Sequence, residues 1–104
     1  MSTKPEPPLA CSLSATDAKV RQGAWDELLR RAALKRAPVT GGMRVEFRPD
    51  GDVRDRLTRL VELERECCPF LELTIDDTGD GRLALTATGP PDAEPIVREL
   101  LAPR

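Results

Sequence analysis

Apolar residues recur along the chain at two spacings, and the alternation between them predicts the elements. Val20, Ala24, Leu28 and Ala32 form an i+4 row flanked by Trp25 and Leu29, which predicts a helix from about Asp17 to Lys35. Ser14 or Thr16 would cap it, with Asp17 in its first turn. Gly23 inside this row costs about 1 kcal/mol relative to alanine, so it signals either a close approach or nothing at all. A second helical row, Val53, Leu57, Leu60 and Val61, runs on to Cys67 and Cys68 and predicts a helix from about Val53 to Cys67. Asp50 or Asp52 would cap this one.

Alternation of period two marks the strands. Ala10–Ala15 places Cys11 and Leu13 on one face and Ser12 and Ser14 on the other. Residues 43–48 turn Met43, Val45 and Phe47 inward and the charges outward. Residues 70–75 and 82–88 alternate on either side of the Asp76–Gly81 turn and predict a hairpin. Gly89-Pro90-Pro91-Asp92 leads into a last short helix with Ile96, Val97, Leu100 and Leu101 on its apolar face. The order is therefore β-α-β-α-β-β-α. This is an α+β chain folded as a two-layer α/β sandwich, a four-stranded sheet with helices on one face and a more polar face opposite. Residues 1–9, with three prolines, read as a disordered tail, and residues 10–104 as a single domain.

Composition narrows the chemistry. Histidine and tyrosine are absent, which removes imidazole ligands, Cys-His and Ser-His-Asp catalysis, and phenol acid–base roles. A net charge of -2 with only three aromatic residues offers neither a phosphate-binding footprint nor stacking platforms, so no nucleic-acid partner is expected. No apolar run approaches membrane-spanning length and no leader pattern is visible, so no membrane partner is expected. Three cysteines without a framework spacing point to a reducing, cytoplasmic setting. The acidic turn at 76–80 lacks the ligand spacing and closing glutamate of a calcium loop.

The chemistry that remains is sulfur. Cys67 and Cys68 stand at the predicted helix end, because Pro69 disfavours α geometry at the residue before it. A helix C-terminus opposes a thiolate and favours a cation, so the setting suits a thiol pair neutralised by an ion better than a nucleophile. A bond between neighbouring cysteines closes a strained ring, which favours two separate thiols. Glu64 lies one turn earlier on the apolar stripe and needs a partner, either an arginine such as Arg65 or a bound cation. If the first strand borders the site, Cys11 joins the pair, and three thiolates suit soft ions such as mercury, cadmium or arsenic. Against this, free cysteine is commonly an inert core residue.

The segment Leu63-Glu64-Arg65-Glu66-Cys67-Cys68-Pro69-Phe70, with the early Cys11-Ser12-Leu13 and a long Trp-containing helix after it, resembles a group of small bacterial proteins that accompany mercury and other heavy-metal resistance functions. The resemblance implies Cys11, Cys67 and Cys68 as the functional positions and Glu64 as a supporting group. Three readings stay open. The first is a soft-metal or metalloid binder acting as carrier, sequestering protein or sensor accessory. The second is a dimeric interaction module with inert cysteines. The third is a thiol-dependent reductase or lyase, with Glu64 moving the proton. The first is preferred, and a non-enzymatic role with it.

Overall fold

The computed structural model describes residues 15–102. Helix α1 (Ala15–Ala32) leads into a hairpin of strands β1 (Ala33–Val39) and β2 (Gly42–Phe47). Helix α2 (Val53–Cys67) follows, then a second hairpin of β3 (Glu72–Asp77) and β4 (Leu83–Thr88), and finally α3 (Glu94–Leu101) behind a single 3₁₀ turn. The four strands form one antiparallel sheet in the order β1-β2-β4-β3.

The order over the described residues is α-β-β-α-β-β-α, which corrects the predicted first half of the chain. Of the predicted strand Ala10–Ala15, only Ala15 is described, and it opens α1; the tail assigned to residues 1–9, Cys11 and the Ser14 cap lie outside the described residues. The sheet gains its fourth strand instead from residues 33–39, where α1 was predicted to continue to Lys35. Leu34, Lys35, Arg36 and Ala37 have no intrinsic objection to a helix. Pairing decides the matter: Lys35 to Val39 run antiparallel to Glu46 to Gly42, and Gly41, at φ 82°, supplies the left-handed residue that the tight turn requires. A register shift between Ala33 and Lys35 leaves Leu34 45% exposed. Pro38 is tolerated because β1 is an edge strand.

The other elements match their patterns closely. α2 has the predicted bounds, and Val53, Leu57, Leu60, Val61, Glu64 and Cys67 are buried along one stripe. Asp52 occupies its N-cap position but makes no side-chain cap; its carboxylate instead takes Arg31 and Arg56, each at 2.6 Å. Strand β3 starts two residues later than predicted, since Phe70 and Leu71 belong to a turn.

Val45, Phe47, Leu73, Leu83, Leu85 and Ala87 project from one face of the sheet into a core shared with all three helices. α3 packs on β2 and β4, α2 on β3, and α1 on α2 and α3. The opposite face carries Arg44, Glu46, Thr74 and Thr86, as the alternation predicts. On α1 the buried stripe is Trp25, Leu28, Leu29 and Ala32; Val20, predicted to lie on it, is 69% exposed, and Ala24 is exposed as well. Among the described residues, no helix is long and apolar enough to cross a membrane.

Candidate functional site

The site is built at the end of α2. The helical bond from the Cys68 N–H to the Glu64 carbonyl, at 2.7 Å, closes the last turn. Pro69 then directs the chain into a β-turn held by the Leu71 N–H donating to the Cys68 carbonyl at 3.0 Å. Both cysteines are thereby turned into the core beneath α1, each 5% exposed.

Their sulfurs are 3.7 Å apart. The two are not bonded to each other, and Cys68 is a free cysteine. The expectation that the neighbouring cysteines do not bond to each other thus holds. The Cys67 Sγ donates to Glu64 Oε2 at 3.5 Å and accepts from Arg21 Nη1 at 3.7 Å. One ligand atom from each of Glu64, Cys67 and Cys68 lies within 4.8 Å of the others, which makes them a potential ligand set. The third predicted sulfur, on Cys11, lies outside the described residues.

Glu64 is 3% exposed and carries a charge into the core. The protein meets that charge with its own donors. Trp25 Nε1 donates to Glu64 Oε1 at 3.0 Å, and Arg21 Nη1 donates to the same oxygen at 3.3 Å. Arg65, the partner named from sequence, turns away and donates to the Leu73 carbonyl at 2.5 Å. No buried side-chain nitrogen or oxygen among the described residues lacks a partner, so the burial of Glu64 by itself does not call for a cation.

Burial, first, and the adjoining Glu64 carboxylate, second, push the Cys68 thiol up to about 12, while the Arg21 guanidinium pulls weakly the other way. A thiol so protonated is a poor nucleophile, which argues against the thiol-enzyme reading. A cation bound at the sulfurs would remove the charge conflict that keeps the proton in place.

Cys68 and Glu64 line one wall of a cleft of about 350 Å³ between α1, the end of α2 and α3. Leu71, Ile96 and Leu100 supply much of its apolar surface, and Arg21 stands on the wall. Arg21 was not found from the sequence. Its signal was the i+4 spacing to Trp25, which puts an arginine on the stripe that continues as Leu28 and Ala32. No family model, curated protein or solved structure matches this chain.

Proposed function

We propose that the reduced chain binds a soft metal or metalloid ion, mercury-, cadmium- or arsenic-like, through the thiolates of Cys67 and Cys68. Glu64 adjoins them as a carboxylate, Cys11 is the candidate third sulfur, and the protein acts as a carrier, sequestering protein or sensor accessory. The observation that carries this reading is the 3.7 Å between the two sulfurs. Two thiolates sharing a tetrahedral ion at bond lengths of about 2.3 Å stand about 3.8 Å apart. The pair therefore needs little rearrangement to ligate, and thiolate is the ligand that soft ions prefer. Imidazole does not compete, because the chain has no histidine.

The competing reading is an interaction module with structural cysteines. It is favoured by the 5% exposure of both cysteines. Native mass spectrometry of the reduced protein with Hg(II), Cd(II), As(III) and Zn(II) separates the two. The ion reading expects one soft ion per chain, lost in the Cys67→Ser/Cys68→Ser double variant and weakened in Cys11→Ser. An ion retained equally by the double variant, or by neither protein, would leave the structural role as the better account.

A further inference from the structure

Cys68 reaches the wall of the cleft between α1, the end of α2 and α3, and the Cys67 sulfur lies 3.7 Å from its own. A linear two-coordinate ion would hold its sulfurs about 4.6 Å apart at bond lengths of about 2.3 Å, so this spacing suits a bent, chelating atom. The two half-buried polar side chains of the cleft are already engaged. Arg21 Nη1 donates to Glu64 Oε1, and Gln22 Nε2 donates to the Leu100 carbonyl at 3.1 Å and to Asp26 Oδ1 at 2.9 Å. What they leave to a ligand is the apolar wall of Leu71, Pro95, Ile96 and Leu100. An engineered apolar cavity of about 150 Å³ holds benzene. This cleft measures about 350 Å³, room enough for one ring.

We propose that the site takes monoorganic arsenic(III): one trivalent arsenic atom bonded to the sulfurs of Cys67 and Cys68, with its single organic group, an aryl ring, lying in the cleft. This deepens the soft-ion reading above and rests on it. The three valences of such an atom match what the site offers, which is two sulfurs at a chelating distance and one apolar space beside them. Binding is a condensation. Each thiol gives up its proton and forms an As–S bond, the two As–O bonds of the hydrated ligand break, and two waters leave. Arsenic stays trivalent and no electrons are transferred. The product is neutral, which suits a site where Arg21 and Trp25 already meet the Glu64 charge. Burial, first, and the Glu64 carboxylate, second, push the Cys68 thiol up to about 12, so a free thiolate is disfavoured there and a neutral As–S bond adds no charge. A bare ion carries no group to fill the cleft and leaves its apolar wall in water.

The test uses the full chain, reduced and then freed of reductant, with phenylarsine oxide and its methyl counterpart as probes. Native mass spectrometry should show one phenylarsenic unit per chain, gained with the loss of two hydrogen atoms, and no such adduct on Cys67→Ser or Cys68→Ser. Competition against dithiothreitol then refers both probes to an open dithiol. We expect the protein to favour the phenyl over the methyl probe at least about tenfold more than dithiothreitol does, the effect of burying a ring. Ile96 is only partly buried, so Ile96→Ser changes the cleft and spares the core. It should remove most of the phenyl preference while leaving the affinity for the methyl probe within about twofold. An adduct that persists on either cysteine variant would overturn the proposal. So would a phenyl preference no greater than that of dithiothreitol, or one that Ile96→Ser leaves intact; Cd(II) or Hg(II) retained by the same protein would then leave the soft-ion reading standing alone. If neither probe and no inorganic ion is retained, both fall together.

Discussion

Glu64 draws three neighbours from two helices: Trp25 and Arg21 of α1, and the sulfur of Cys67 on its own helix. The two variants Glu64→Gln and Glu64→Leu divide its role. Glutamine keeps an acceptor for the indole N–H, whereas leucine leaves buried donors unpaired. Glu64→Leu is therefore expected to cost about 2–4 kcal/mol and Glu64→Gln at least about 1 kcal/mol less, read by urea denaturation. Cys68 gives a second prediction at this scale. Its thiol is pushed up to about 12 in the folded protein, so the folded state holds this proton after the unfolded state has lost it. The stabilisation is complete below the ordinary thiol value and is lost as pH rises from about 9 towards 12. Cys68→Ala should flatten the pH dependence of unfolding in that window. Iodoacetamide at pH 8 should label Cys68 at least about 100-fold more slowly in native than in unfolded protein. Gly23 resolves a choice that its sequence position left open. A methyl group there would meet nothing within 4 Å, so Gly23→Ala should stabilise by up to about 1 kcal/mol, seen as a rise in Tm.

Among the elements, α2 was fully legible and the α1–β1 junction was not. The apolar stripe of α2 coincides with its buried face, and Pro69 marks its end in any tertiary setting. Residues 33–37 are compatible with both helix and strand, and their neighbours on β2 made the choice. The β1–β2 hairpin depends in turn on Gly42, which is extended and lies against β4. A Cβ on Gly42 would fall on the Ala87 carbonyl, a backbone atom that cannot yield without disturbing the ladder. Gly42→Ala is expected to cost at least about 3 kcal/mol, near the top of the range for overpacking, with a matching loss of Tm in thermal unfolding followed by circular dichroism. The N-terminal half of α1 was misjudged for a related reason. Val20 fits the i+4 row as well as Leu28 does, yet among the described residues nothing is placed to cover it.

Across the whole molecule, the charged surface contributes little to stability. Among the described residues, Arg21–Glu64 is the buried ion pair, with side chains 16% and 4% exposed, while Arg31–Asp52, Arg54–Asp77 and Arg98–Glu94 lie in solvent. Solvent-exposed pairs are worth about 0–1 kcal/mol and are screened by salt. Raising NaCl from 0.1 to about 1 M should therefore move Tm by less than about 4 °C, measured by differential scanning fluorimetry. At this scale the candidate site is a product of assembly. The cleft exists because α1, α3 and the turn after α2 meet around Cys68, and residues from three parts of the chain line it.

By itself, the sequence determined the α+β class, the α2 stripe, the second hairpin and the helix-end position of the cysteine pair. Each of these follows from local periodicity or from the stereochemistry of a proline, which act over a few residues. It also singled out Glu64, because a carboxylate on an apolar stripe is conspicuous in one dimension. Tertiary structure alone decided that residues 33–39 are a strand, that Val20 faces solvent, and that Arg21 and Trp25 rather than Arg65 meet Glu64. It alone set the two sulfurs 3.7 Å apart. These outcomes turn on pairing across the sheet and packing between helices, interactions between residues far apart in the chain that local spacing does not encode.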